Sequence, residues 1–212
     1  NKEQQAYQRR PKTGSRFEQT QSGDFEICLL VLASIVIKAD GKVDQRELDF
    51  VRNQFVNMYG KQRANNAFKL FNGIIKKEVS ARQVCIQIRQ NMPHASRLQL
   101  VHFLFGIAKS DQYVVQAELE EIKKIAGYLY VNLQDYESIK AMFFDVSANA
   151  YKILEISESA SNEEVKKGYR KMVKKYHPDK LQDLGEAHLK GANEKFQSIQ
   201  SAYETIKKER DM

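Results

Sequence analysis

Apolar residues recur at intervals of three and four along most of the chain from residue 22 to residue 146, which is the spacing of amphipathic helices. The clearest runs are Phe50, Val51, Phe55 and Met58; Phe68, Phe71, Ile74 and Ile75; Val84 and Ile88; Leu98, Val101, Phe105 and Ala108; and Leu119, Ile122, Ile125 and Leu129. No alternating pattern typical of a strand extends over more than a few residues. The pattern therefore predicts an all-α bundle of six or seven helices, with starts near Asp24, Asp44, Ser80 and Pro93.

The longest apolar run covers residues 27–37 and is interrupted only by Ser34. A helix that crosses a bilayer needs about 20 apolar residues, which is nearly twice the length of this run. We therefore expect the run to form a buried helix in the core of the domain.

An internal repeat relates residues 37–48 to residues 108–119, at an offset of 71 positions. At this offset Asp40 aligns with Asp111, and Glu47 aligns with Glu118. Each copy consists of an apolar helix, a short turn that carries an aspartate, and a helix with a glutamate in its first turn. The repeat predicts two helical halves related by a pseudo-twofold axis.

The segment 147–212 has a pattern of its own and is predicted to be a separate domain. A short helix around residues 151–154 precedes a helix over 163–176, a loop, and a long helix over 186–208. The apolar stripes of the two longer helices are Val165, Tyr169, Met172 and Tyr176, and Leu189, Ala192, Phe196, Ile199, Tyr203 and Ile206. Two such stripes joined by a short loop predict an antiparallel helix hairpin with these residues in its core.

The loop of this hairpin carries the sequence Tyr-His-Pro-Asp-Lys over residues 176–180, between a basic helix and a helix that contains Ala-Tyr-Glu at 202–204. Together with Tyr-Lys-Ile-Leu-Glu-Ile at 151–156, these segments resemble the J domain of DnaJ-type co-chaperones. The resemblance covers every helix of that fold. It implies that the loop and the basic helix dock on the acidic surface of a DnaK-type chaperone and stimulate its ATP hydrolysis.

The residues at the docking positions follow from this resemblance. Asp179 would form a charged pair with the chaperone, and His177 and Pro178 would shape the loop, since a proline disfavours helical backbone at the residue before it. The contacts and electrostatic steering would come from the basic residues Lys167, Arg170, Lys171 and Lys174.

Six basic residues of this helix are predicted to cover its exposed side: Lys166, Lys167, Arg170, Lys171, Lys174 and Lys175. A charge run of this kind is also typical of a plain solvated helix face. Nucleic-acid binding is the other alternative, but no aromatic residues interleave with the lysines to stack on bases.

The acidic turns of the repeat match only the second half of an EF-hand calcium loop, because Val36 and Lys38 occupy the positions of its first two carboxylates. Residues 22–146 instead resemble the TerB (tellurite-resistance) family, an all-helical fold with pseudo-twofold acidic turns. The resemblance implies a site for a divalent cation formed by Asp40, Glu47, Asp111 and Glu118. Alternatively, each aspartate shapes its turn and each glutamate caps the next helix.

The distribution of charge indicates a third segment before the two domains, a polar leader over residues 1–21. The chain carries 34 basic and 27 acidic residues, a net charge of +7, and part of the excess lies in a polar leader over residues 1–21. Such a leader is either a disordered end or a basic segment beside a membrane anchor, and because the chain begins with Asn1 we expect it to be a processed or truncated piece. Cys28 and Cys85 lie in apolar stretches, which indicates a reducing compartment.

A TerB-like domain followed by a J domain resembles the DjlA-like family of bacterial, membrane-anchored DnaJ-type co-chaperones. The resemblance implies a non-enzymatic protein in the cytoplasm, tethered to the inner face of the inner membrane through its missing segment, with the TerB-like domain giving recruitment or regulation. No nucleophile–base arrangement or glycine-rich phosphate loop opposes this interpretation. The alternative is a metal- or lipid-responsive sensor or scaffold with a vestigial J domain.

Overall fold

The computed structural model describes residues 22–110, 114–184 and 189–212, and within these ranges it contains helices and no strands. The helices are α1 (Ser22–Ile37), α2 (Gln45–Tyr59), α3 (Lys61–Ile74), α4 (Ala81–Asn91), α5 (His94–Ala108), α6 (Gln116–Tyr128), α7 (Leu133–Met142), α8 (Ala150–Ile153), α9 (Asn162–Lys175) and α10 (Leu189–Glu209), with a 3₁₀ helix at Pro178–Leu184. The predicted all-α fold is confirmed. The leader at 1–21 and the predicted start of the last helix at residue 186 lie outside the described residues.

Side-chain caps set several helix starts where the sequence placed them. The Asp44 carboxylate accepts a hydrogen bond from the Arg46 backbone N–H (2.7 Å), and Glu47 Oε2 accepts one from the Asp44 backbone N–H (3.3 Å). This reciprocal arrangement is a capping box, which satisfies backbone donors that have no partner inside the helix. Ser80 caps α4 in a similar way, and Pro93 precedes α5 as predicted.

Helices α1 and α5 form the centre of the first domain. Every residue of α5 from Leu98 to Ala108 is buried, and α1 packs against α3, α5 and α6. The apolar run at 27–37 is thus a core helix, as expected. In the part of the chain that the structure describes, no helix has the length and apolar character needed to span a membrane.

The predicted repeat is present in the helix boundaries. Helix α1 ends at Ile37 and α5 ends at Ala108, whereas α2 begins at Gln45 and α6 begins at Gln116, so both pairs keep the same offset. The packing has the same symmetry, because α1 contacts α5 and α6 while α5 contacts α1 and α2. These paired contacts confirm the pseudo-twofold relation of the two halves.

Helices α8, α9 and α10 form the second unit, in which α9 and α10 make the predicted antiparallel hairpin. Met172 of α9 and Ile199 of α10 are fully buried, and the rings of Tyr169 and Tyr203 stack with centroids 4.2 Å apart. Gly168 is needed at a close approach, since a Cβ there would lie 2.7 Å from the Ile156 side chain. The hairpin therefore holds the loop at 177–180 at one end of a packed unit.

One predicted core position of α10 is wrong. Phe196 is only half-buried, whereas the preceding Lys195 is 1 % exposed. The prediction took account only of the apolar stripe of α10 that packs on α9. Helix α10 also contacts α5 of the first domain. The second contact buries the position beside the predicted stripe.

The two units pack closely against each other. Helix α7 contacts α8, and the 3₁₀ helix contacts α1 and α5. Ser138 Oγ donates a hydrogen bond to the Ile153 carbonyl (2.8 Å), and Gln134 donates one to the Glu155 carbonyl (3.1 Å). The connection between α7 and α8 is short, so the second unit is held against the first.

Candidate functional site

The His-Pro-Asp loop leaves the end of α9 as a stiff, exposed turn. The chain leaves the α-helix at Tyr176, whose N–H bonds to the Met172 carbonyl, and the 3₁₀ helix begins at Pro178. His177 Nδ1 lies 3.3 Å from both the backbone nitrogen and a carboxylate oxygen of Asp179. The side chains of His177 and Asp179 are 47 % and 71 % exposed, so both face solvent.

Four of the seven predicted docking residues line one groove. This groove has a volume of about 480 Å³ and is lined by Tyr169, Arg170, Val173, Lys174, His177, Asp179 and Lys180. Lys167 and Lys171 are exposed on α9 but outside the groove, and Pro178 is half-buried in the loop. The basic side chains of α9 are complementary to an acidic protein surface, whereas the Asp179 carboxylate is complementary to a cationic group within it.

Lys175 departs from the predicted basic face. Its Nζ contacts the carboxylates of Asp135 on α7 and Glu155 after α8, and its side chain is only 18 % exposed. Lys171 also reaches Glu155 (2.9 Å), and His94 Nε2 lies 3.0 Å from Asp135. We call these five residues the interdomain ion cluster, and it fixes the last turn of α9 just before the loop.

Burial alone would raise the pKa of Asp135, but the hydrogen bond and charge of Lys175 outweigh it and lower the pKa overall. The carboxylate is therefore ionised at neutral pH, although its side chain is only 3 % exposed. A buried carboxylate remains charged only when it is well paired, so the cluster depends on Lys175.

A second polar contact crosses between the units at Lys195. Its Nζ contacts Gln99 Oε1 on α5 and lies 5.7 Å from the centroid of the Tyr176 ring. Burial lowers the pKa of Lys195 to about 7, and it also lowers the pKa of the neighbouring His102, with the Lys195 charge adding to the effect. His102 is therefore neutral at pH 7, while Lys195 titrates near that pH.

This burial predicts a pH dependence of stability. Between about pH 7 and its ordinary value of 10.5, Lys195 is protonated in the unfolded chain but not in the folded one. The contribution of Lys195 to stability should therefore rise with pH across this window, and its full penalty is present below it. Replacing Lys195 with methionine and Gln99 with leucine should flatten the rise and stabilise the protein by about 2 kcal/mol at pH 7.

Urea unfolding at pH 7 and at about pH 9 measures the effect, with Lys208→Met as a control because Lys208 is exposed on the same helix. An equal rise with pH in the double variant and in the unchanged protein would contradict the assignment to Lys195.

Of the predicted metal ligands in the acidic turns that lie within the described residues, the structure brings only Glu47 and Glu118 close together. Glu47 and Glu118 are 4 % and 5 % exposed, and burial together with the neighbouring Glu118 raises the pKa of Glu47 to about 8. Asp40 is exposed and accepts a hydrogen bond from the Lys42 backbone N–H (2.8 Å). Asp111 lies outside the described residues, and within the described ones no group of three metal-ligating side chains comes together.

Comparison with known proteins assigns a different family to each of the two domains. Residues 26–141 match the family "Tellurite resistance protein TerB", and residues 149–211 match the DnaJ domain. No solved structure matches the chain. The chain is thus a two-domain, all-helical protein with a J domain at its C-terminal end. It belongs to the TerB family, with the TerB and DnaJ domains in that order.

The curated relatives include several named "Co-chaperone protein DjlA". That of Vibrio cholerae is 51 % identical over 65 residues, which cover 30 % of this chain and 23 % of the relative. That of Vibrio parahaemolyticus is 29 % identical over 230 residues, 90 % of this chain and 79 % of the relative. A "Chaperone protein DnaJ" of Anaplasma marginale (strain Florida) is 57 % identical over 56 residues, 26 % of this chain and 14 % of the relative.

These relatives confirm the predicted resemblance to DjlA-like proteins and support a J-domain co-chaperone, a class that is not an enzyme family. The match to the Vibrio cholerae relative spans less than a quarter of that protein. The domain boundaries predicted at 21/22 and 146/147 stay predictions, as do the roles of individual residues.

Sequence reasoning missed the residues that join the two domains. Asp135 and Lys195 lie in no motif, and the 151–156 segment that contains Glu155 gave no sign of its ion pairs. These residues meet their partners only when the domains pack. A weak signal was present at Lys195, which lies next to an apolar stripe on a helix with few other charges on that side.

Proposed function

We propose that this chain is a J-domain co-chaperone without a catalytic centre of its own. Its groove and His-Pro-Asp loop dock on the acidic surface of a DnaK-type chaperone and stimulate ATP hydrolysis there. The observation that carries the proposal is the exposed juxtaposition of His177 and Asp179 with Arg170 and Lys174 in one groove.

The roles of the docking residues follow from their environment. Asp179 contacts only an imidazole from its own loop among the described residues and keeps most of its surface free for a cationic partner. Lys167, Arg170 and Lys174 project from α9 into solvent, where they steer an acidic surface towards the loop. Lys171 is also exposed and adds to this charge, although its Nζ pairs with Glu155. Pro178 keeps the loop short and ordered for docking.

The direct test is single-turnover ATP hydrolysis by the cognate DnaK-type chaperone, with and without this protein. We expect a severalfold acceleration that saturates as the protein concentration increases. An unchanged rate at saturating protein would exclude the docking proposal.

The TerB domain in this proposal recruits or regulates, and a basic leader at 1–21 places the protein beside the inner face of the bacterial inner membrane. The support is the close packing of the two domains, which keeps the J domain near whatever the TerB domain binds. The charge of the leader supports the membrane location.

A second candidate function is a cation-responsive sensor of the TerB type, favoured by the close approach of Glu47 and Glu118. With a pKa of about 8, Glu47 is mostly protonated at neutral pH beside the second carboxyl group. A divalent cation between the two carboxylates, with Asp40 and Asp111 as further ligands, would displace that proton.

Calorimetry of the full chain with Ca²⁺, Mg²⁺ or Zn²⁺ tests this candidate. Proton displacement predicts a binding heat that changes between buffers of different ionisation enthalpy, and that disappears in Glu47→Gln, Asp40→Asn and Asp111→Asn. Glu120→Gln is the matched control, because Glu120 is an exposed carboxylate on α6. Absence of heat with all three cations would leave Glu47 as a buried cap that shares a proton with Glu118.

A further inference from the structure

A concave surface on the first domain, remote in sequence from the J domain, is lined by arginines and tyrosines. It lies between α4 and the end of α6, has a volume of about 340 Å³, and is lined by Arg82, Ile86, Arg89, Gly127, Tyr128 and Tyr130. We call it the arginine–tyrosine groove. Arginine and tyrosine are enriched at the energetically dominant positions of protein–protein interfaces, so the composition indicates a binding surface.

Among the described residues, no ion pair neutralises the positive charge of this groove. Neither Arg82 nor Arg89 has a carboxylate within ion-pair distance among the described residues. Arg97 donates to the Leu129 carbonyl, and burial, followed by the charge of the nearby Arg89, lowers its pKa. Arg82 and Arg89 therefore give the groove a positive charge, to which Arg97 adds beside Arg89.

Tyr130 occupies a left-handed backbone position at the end of α6 where glycine would be less strained. It has φ of +54° and occupies the left-handed position that ends α6, where glycine is favoured. The Val131 N–H bonds to the Ala126 carbonyl (2.9 Å), and the Tyr130 N–H bonds to the Gly127 carbonyl (3.1 Å), which is a Schellman motif. A tyrosine here is conformationally unfavourable relative to glycine.

Packing of the Tyr130 side chain does not offset the energetic cost of this backbone strain, because the residue is 67 % exposed. Its clearest contact is with the Arg89 guanidinium, 3.8 Å from the ring centroid, and cation–π contacts at exposed sites are weak. Glu155 provides the contrast, since it has a similar φ of +56° but its side chain is buried in ion pairs. A strained backbone with an exposed aromatic side chain points to a binding role for Tyr130.

We propose that the arginine–tyrosine groove binds an acidic segment of a partner protein. Carboxylates of that segment pair with Arg82 and Arg89, and an apolar side chain packs against Tyr128 and Tyr130. Charge complementarity selects the partner, since the groove offers arginine forks that match carboxylates in a bidentate manner. The groove would be the surface through which the TerB domain performs the recruitment role proposed above.

The shape and composition favour a protein segment over a membrane. The groove is concave, and its basic residues are arginines, whereas binding to anionic lipid typically uses clusters of four to eight basic residues on an exposed face.

Fluorescence anisotropy of the full chain tests the proposal with a fluorescein-labelled peptide of repeated Glu-Asp-Leu units. A peptide of equal length with repeated Gln-Asn-Leu units is the neutral control. We expect the acidic peptide to bind more tightly than the neutral one, with an affinity that decreases as salt increases. Arg89→Ala should weaken binding by about 10- to 30-fold, as for a central interface arginine.

Tyr130→Gly separates a binding role from a structural one. Glycine relieves the left-handed strain, so the melting temperature should stay equal or increase while binding of the acidic peptide decreases. Lys69→Ala, an exposed basic residue of α3, should leave binding unchanged. The proposal is overturned if the acidic and neutral peptides bind alike, or if Arg89→Ala and Tyr130→Gly bind as the unchanged protein does.

Two further measurements identify other occupants. Binding to vesicles of equal parts phosphatidylcholine and phosphatidylglycerol that is lost in Arg89→Ala, without peptide binding, would assign the groove to a lipid surface instead. Self-association that is lost in the same variant would assign it to a second copy of the chain. Stimulation of the chaperone ATPase should be unchanged in Arg89→Ala, so failure of this inference and failure of the proposed function are distinguishable.

Discussion

Replacing His177 with glutamine is expected to abolish stimulation of the chaperone ATPase while leaving helix content and melting temperature unchanged. The imidazole is half-exposed and positions the Asp179 backbone and carboxylate, with Nδ1 3.3 Å from both. Glutamine removes this contact without creating a cavity, because the side chain is not part of the core. The loss should correspond to about 2–4 kcal/mol of docking free energy, as for a central interface residue.

Asp179→Asn should have the same effect, because it removes the exposed charge of the loop and retains its size. Asp211→Asn is the matched control, since Asp211 is an exposed aspartate near the end of the chain. Single-turnover hydrolysis and far-ultraviolet circular dichroism measure activity and folding in parallel. Full stimulation by either loop variant would show that the chaperone is activated through another surface.

The second large effect concerns the interdomain ion cluster. Asp135→Ala leaves Lys175 with Glu155 as its remaining carboxylate and removes the partner of His94. Removing one member of a buried ion pair typically costs 3–5 kcal/mol, and because Glu155 still pairs with Lys175 we expect about 3 kcal/mol. The unfolding transition should also broaden or divide in two, since the cluster joins the two domains.

Urea unfolding followed by circular dichroism measures both changes, with Glu137→Ala on the same helix as the control. The lowered pKa of Asp135 gives the expected pH dependence. Its contribution is complete above the ordinary value of 3.8 and is lost as the pH falls through the lower pKa of the folded state. A single transition with an unchanged midpoint in Asp135→Ala would contradict the role of the cluster.

The helices and their order could be predicted from the sequence because local rules determine them. Asp44 and Ser80 are good caps and cap the helices predicted to follow them, and the spacing of Val165 and Met172 placed both in the hairpin core. The apolar run at 27–37 was too short for a membrane and long enough for a core helix. In each case the information lies within one or two turns of the chain.

The residues that join the domains could not be predicted in this way. Lys175 belongs to a basic run and was expected to face solvent, but acidic residues of α7 and of the segment after α8 lie opposite it in the folded chain. Lys195 is buried by α5, whose sequence lies almost a hundred positions earlier. Such pairings depend on the packing of whole domains, which local periodicity does not encode.

The arginine–tyrosine groove had a local signal that was not used. After α6 the chain continues Leu-Tyr-Val-Asn, with no glycine at the position where a helix usually ends in left-handed backbone. A helix stop without glycine suggests that the side chain at that position has another role. The arginines of α4 are common surface residues, and only the fold places them beside Tyr130.

The close packing of the two domains has a consequence for the proposed action on a chaperone. A J domain on a long flexible linker would explore a large volume, and a client held elsewhere on the protein would meet the chaperone at a low effective concentration. Here α7 contacts α8 and the ion cluster fixes the end of α9. Under the proposed function, a protein bound to the TerB domain would thus be presented to the chaperone at a defined distance.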